Sequence, residues 1–182
     1  MTKVAVTMPG KIGDILWTLP TAREISKLHD TPVDFYVMPH FDGVCDLIES
    51  QSYINKCEGI NGWEVDGNKA LQDWEPPYLP DTYDALYHLG YRSYPAYPLV
   101  LHGPMTANIS WTEPVLPFIE AESKGDYDII FGFSVYVDPI VDEFIDKVIS
   151  KVAEKYSDIK WINGSQLPWK EFAEYAAGAK TY

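Results

Sequence analysis

Between Met8 and Pro20 the chain reads Met-Pro-Gly-Lys-Ile-Gly-Asp-Ile-Leu-Trp-Thr-Leu-Pro, a stretch rich in residue types that act on small polar ligands. Gly10 and Gly13 permit a tight turn and a close approach of backbone to a ligand. With Lys11 they would turn backbone amides and one ammonium toward an anion, as glycine loops at helix N-termini do. The same residues would also serve as a plain βα turn with an exposed lysine. Asp14 puts a carboxylate where the loop meets the next helix, and by residue type alone it reads as a cap for that helix's first amides. The spacing is neither a P-loop nor a complete G-x-G-x-x-G, so it does not support a dinucleotide site.

A second group of candidates lies at residues 88–92. His88, Tyr91 and Arg92 follow an apolar run, at the end of a strand where α/β sheets gather their ligands. Arg92 could grip a phosphate or carboxylate with two parallel N–H bonds, and Tyr91 could stack on a sugar ring. A surface arginine beside packing aromatics is the plainer reading. His40, after the second apolar run, is similarly placed. The four histidines (29, 40, 88 and 102) have no metal-ligand spacing. Six tryptophans and thirteen tyrosines suit flat sugar faces and apolar cores equally well. Trp161 falls in an expected strand and reads as core; Trp63, Trp74 and Trp111 fall in irregular segments that suit a cleft.

These residues need strands and helices to hold them, and the chain supplies the two in alternation. Lys3 to Thr7 is expected as a buried first strand, followed by a helix with Ile15, Leu19, Ala22, Ile25 and Leu28 on one face. Val33–Met38 reads as a strand, Gly43–Ser50 as a short helix, Ile54–Cys57 as a third strand and Ala85–Leu89 as a fourth. Residues 59–82, rich in Gly, Pro, Asn and Trp, make a long connection of the kind that often carries a function. Residues 99–122, broken by three prolines, fit no element clearly. The polar run Ala121 to Asp126 reads as a boundary, and a fresh βαβα pattern follows it. Its expected elements are a strand at Asp128–Phe133, a helix at Pro139–Lys155, a strand at Ile159–Ile162 and a helix at Pro168–Ala177 stopped by Gly178. The expected fold class is α/β: a Rossmann-like doubly wound domain over residues 1–125, then the first part of a second Rossmann-like domain over 126–182.

Three segments carry a family resemblance. The G-D-x-x-x-x-x-P run from Gly13 to Pro20 after a first strand resembles the start of the heptosyltransferase-like glycosyltransferases (glycosyltransferase family 9). Tyr83 to Ser93 is similar to that family's segment ending the fourth strand, and Phe172 to Lys180 is similar to a helix of its second domain. The resemblance implies the GT-B architecture of two facing Rossmann-like domains. It implies sugar transfer from a nucleotide-sugar donor to a carbohydrate or glycan acceptor, inverting and without a metal or other cofactor. On this view Asp14 takes the base position, while Gly10, Lys11, Gly13, His40, His88, Tyr91 and Arg92 lie on the acceptor side. Ser134, Gly164 and Ser165, after strands of the second domain, would face the donor; as residues they also read as ordinary turns. The family's donor-binding Asp-x-Gly-x-x-His loop does not occur here, so we expect a chain truncated within its second domain, or completed by a partner chain, and inactive alone.

Composition limits the alternatives. At 46% hydrophobic and 23% charged residues the chain is globular. A formal net charge of −13 disfavours nonspecific nucleic-acid binding and docking to an anionic membrane. No apolar run approaches the ~20 residues that span a bilayer, and no secretory leader pattern opens the chain. Cys45 and Cys57 are expected as free thiols in the cytoplasm. Two other readings stay open. One is a noncatalytic Rossmann-like binding or scaffold domain, with Asp14 as a cap. The other is a nucleotide or dinucleotide enzyme, which needs an acid after the second strand, where Met38-Pro39-His40 stands instead.

Overall fold

The computed structural model describes residues 2–63, 78–89, 119–125, 127–131, 147–148, 150–158, 160–164 and 167–179. Contacts divide the chain into two compact units, Met1–Glu120 and Ala121–Tyr182.

The first unit opens with strand β1 (Val4–Met8), helix α1 (Ile12–His29) and strand β2 (Val33–Val37). A 3₁₀ turn (Pro39–Val44), a short helix α2 (Cys45–Glu49), strand β3 (Ile54–Gly59) and strand β4 (Ala85–His88) follow. The four strands form one parallel sheet in the order β3-β2-β1-β4. Residue burial follows that order. Every residue of the two inner strands is buried, whereas β3 mixes buried, half-buried and exposed positions and β4 has only half-buried and exposed ones. Near-continuous apolar runs such as Val4-Ala5-Val6 belong to strands covered on both faces.

Alternation sorts the side chains between the faces. His29 near the end of α1 meets Tyr87 of β4, Nε2 to hydroxyl 2.8 Å, and Tyr87 lies in register with Val6. Helix α1 thus covers the Val4, Val6 and Met8 face. Its Ile15, Leu19, Ala22 and Ile25 are fully buried, each large side chain contributing roughly 1.5–3 kcal/mol. Leu28, expected on the same stripe, is 65% exposed instead. The opposite face, with Ala5 and Tyr36, is covered by Ile60, Trp63, Leu79 and Tyr83 from the connection between β3 and β4.

Where this connection returns to the sheet, polar groups fasten it. Tyr83 donates its hydroxyl proton to Asp34 Oδ2 at 2.7 Å, so the Tyr36 hydroxyl is the donor in its 2.5 Å bond to Tyr83. Asn55 donates to Asp34 Oδ1, and Lys56 meets Asp81 at 3.1 Å and Asp34 at 3.9 Å. The Tyr36 hydroxyl, then Asp81, hold the Lys56 ammonium well above the ordinary lysine value; Lys56 holds the Asp81 carboxyl below its own.

The first unit ends on a clamp. The Gln51 side chain accepts from Glu120 N at 2.7 Å and donates to Glu120 O at 3.2 Å, while Ser52 N and Oγ donate to the Glu120 carboxylate. The second unit pairs strands β5 (Ile129–Phe131) and β6 (Trp161–Asn163) in parallel, and carries helix α3 (Trp169–Gly178). Residues 147, 148 and 150–155 are helical, within the expected Pro139–Lys155 helix; its start lies outside the described residues. Gly178 is the last residue of α3, and Ala179 caps it with φ −76°. A Cβ on Gly178 would lie 2.7 Å from Ser123 Oγ, so close approach, not a left-handed cap, requires the glycine. No helix among the described residues is long and apolar enough to cross a membrane.

The cysteines correct an expectation. Cys45 and Cys57 form a disulfide with Cα atoms 5.1 Å apart, and no free cysteine remains. They lie twelve positions apart in sequence, but α2 packs on β3 and brings the start of the one against the middle of the other.

Candidate functional site

Among the described residues the first unit's four strands are all parallel, so their carboxyl ends lie along one edge of the sheet. The chain leaves that edge at Pro9–Lys11 after β1, at Met38–His40 after β2, at Ile60 after β3 and at Leu89 after β4. Strand order reverses between β1 and β4: from β1 the chain goes outward to β2 and β3, then returns to pair β4 on the other side. Ligands of open α/β sheets bind outside the carboxyl ends at such a reversal.

The β1–α1 loop delivers Asp14 there. Ile12 is the first helical residue, so Lys11 is the N-cap and Asp14 the third residue of the helix. The expected cap role thus shifts: Asp14 Oδ2 accepts the Lys11 backbone N–H at 2.9 Å, reaching back to the cap residue. This is the carboxylate half of a capping box, and the helix dipole favours an anion at this end. Lys11 has no acceptor atom on its side chain, so its ammonium leaves the reciprocal half unmade. Asp14 is half-buried; Lys11 and Gly13 are exposed.

Gly10 is buried for a local reason. A Cβ there would overlap Asp14 Cβ and lie 2.7 Å from Met8 Cε and 2.9 Å from Asp14 Oδ2. The glycine therefore clears the space into which Asp14 folds. Gly13 has no heavy atom within 4 Å of the equivalent position, so close approach places no demand on it.

His88 reaches the same edge from β4. Its Nδ1 lies 2.7 Å from Thr7 Oγ1, and the two residues are register partners on β1 and β4. Thr7 is buried and His88 half-buried. Sequence reading missed Thr7, because nothing in a lone strand says which strand pairs with it. His40 sits exposed in the 3₁₀ turn, its ring edge-on to Phe41 with centroids 5.0 Å apart. Gly59 packs the end of β3 against this turn, for a Cβ there would lie 2.8 Å from Asp42 Cβ. Trp63, one of the aromatic cleft candidates, packs against the Ala5–Tyr36–Ile60 cluster.

The structure thus joins Gly10 and Lys11 of the loop with Gly13 and Asp14 of the first turn of α1, and sets His88 at the end of the neighbouring strand β4. His40 lies farther along the same edge, after β2. In the second unit Gly164 is buried after β6 and its carbonyl accepts from Leu167 N at 3.1 Å, a turn contact. Tyr91, Arg92, Ser134, Ser165, Trp74 and Trp111 lie outside the described residues, and so does the Trp161 side chain. No protein-family model, curated protein or solved structure matches this chain.

Proposed function

We propose that the protein moves a sugar from a nucleotide-sugar donor to an acceptor hydroxyl, inverting the anomeric centre, with Asp14 as general base. One observation carries this reading: a carboxylate held by the Lys11 amide at the carboxyl edge of a parallel sheet, beside the strand-order reversal. The hydrogen bond from the Lys11 amide to Oδ2 helps fix the group's orientation, and the Asp14 carboxylate is the group that would take the acceptor proton. Departure of the diphosphate carries much of the barrier in an oxocarbenium-like transition state, so a modest base suffices. The acceptor side comprises Gly10, Lys11, Gly13, His40 and His88, with Tyr91 and Arg92. The donor side comprises Ser134, Gly164 and Ser165, on the strength of the family resemblance. No metal is assigned a role.

The test is turnover. Protein expressed from its full reading frame is given UDP-, GDP- and ADP-sugars with a saccharide acceptor, with and without EDTA. Acceptor-dependent release of nucleoside diphosphate, unchanged by the chelator, is the expected result. No release with any donor would refute the transfer, and loss of release on chelation would refute its metal independence.

A second reading has its own observation. The Asp14 bond to the Lys11 amide is also what a purely structural cap makes, and a noncatalytic Rossmann-like binding domain would keep it.

A further inference from the structure

We propose that the Cys45–Cys57 disulfide is a reversible redox clasp: once a dithiol reduces it, the Pro39–Val44 turn is released from β3 while the sheet stays folded. The inference goes beyond the transfer reading and does not depend on it. Cys45 directly follows the turn and begins α2, and its backbone N–H donates to Asp42 O, so the bridge holds the end of the turn. Cys57 lies in β3, two residues before Gly59, and the turn rests on that glycine. A Cβ on Gly59 would lie 2.8 Å from Asp42 Cβ and 3.0 Å from Pro39 Cα. One strand thus carries both the anchoring sulfur and the seat of the turn.

The neighbouring elements have other support. Helix α2 keeps Leu47 and Ile48 buried, and its Glu49 carboxylate accepts the Cys57 N–H at 2.8 Å. The Leu47 carbonyl accepts from Gln51 Nε2 at 2.9 Å and from Ser50 Oγ at 2.7 Å. Strand β3 keeps its ladder with β2. The turn has less: Val44 is its one buried residue, and His40, Asp42 and Gly43 are exposed. Segments with few buried contacts open before the rest of a fold. Access favours attack at Cys45, which is half-buried, over Cys57, which is 8% exposed. A thiolate of the dithiol attacks Cys45 Sγ, the bond between the two sulfurs breaks, and Cys57 leaves as a thiolate that takes up a proton. The reductant's second thiolate then displaces Cys45, which gains a proton in turn. Two electrons and two protons pass to the protein, and the reductant departs as its cyclic disulfide.

Dithiothreitol is the probe, used on the full chain without substrate. Thiols are counted across a series of reduced-to-oxidised dithiothreitol ratios run in both directions, and amide hydrogen exchange follows the turn. Reduction should free both cysteines in the folded protein, and reoxidation should restore the bridge. The hydrogen-bonded amides of Phe41 and Cys45 should exchange about ten- to a hundredfold faster in the reduced protein, the size of a constraint on so short a loop, while those of β1 and β2 keep their protection. Cys45→Ser/Cys57→Ser should exchange like the reduced wild type whatever the dithiothreitol ratio. If serine disturbs the buried position 57, alanine at both positions makes the same comparison. A bridge that resists dithiothreitol until urea unfolds the protein would overturn the proposal. So would reduction that strips β1 and β2 of protection together with the turn, or that leaves the turn unchanged.

Discussion

Gly10 and Gly13 stand three residues apart, one in the loop after β1 and one in the first turn of α1, and answer to different constraints. Gly10 faces the Asp14 side chain so closely that a methyl group has no room, whereas Gly13 opens into empty space within the first turn of α1. Gly10→Ala should therefore cost about 1–3 kcal/mol, the range for overpacking, and push Asp14 off the Lys11 amide. Gly13→Ala should leave Asp14 in place and add about 0.5–1 kcal/mol, because alanine loses less backbone entropy in a helix. Urea unfolding of the two variants checks both signs. Equal effects would show that the loop is not shaped around Asp14. Both glycines were visible in the sequence as a tight turn after the first strand; which of them makes room for the carboxylate depends on the path of the chain.

At the scale of elements, the disulfide ties the start of α2 to β3, directly after the turn that carries His40. Closing a loop of this size stabilises by about 3 kcal/mol in the chain-entropy account. The double variant Cys45→Ser/Cys57→Ser should lower the urea midpoint accordingly, and reducing agent should lower the wild type to the same value. A midpoint indifferent to both would mean that the bridge contributes nothing. Several strands were legible in the sequence because their composition and flanks mark them: Val4-Ala5-Val6, Val33 to Val37 and Ala85 to His88 all form close to their expected bounds. Helix α1 was legible through its buried face, even with Pro20 inside it. Pairing was not legible. The Thr7–His88 contact depends on β4 lying beside β1, and the Cys45–Cys57 contact on α2 lying over β3. The connection after β3, expected as a long irregular segment of the kind that often carries a function, covers a sheet face with its described residues Ile60, Trp63, Leu79 and Tyr83 and is pinned there through Tyr83 and Asp34.

At the scale of the molecule, the chain splits where Glu120 is locked by Gln51 and Ser52, just before the polar run that sequence reading marked as a boundary. The described strands of the first unit form one parallel sheet, with Asp14 and His88 at its carboxyl edge. The most direct test of the account bears on that edge. Asp14→Asn preserves size and still accepts the Lys11 amide bond, so it removes basicity and leaves the cap. Measured together on the protein from its full reading frame, kcat should fall by ~10²–10⁴ while Tm falls by no more than about 4 °C, the size of the lost interaction between the anion and the helix dipole. An asparagine variant as active and as stable as the wild type would contradict the role of Asp14 as base, and leave it a cap.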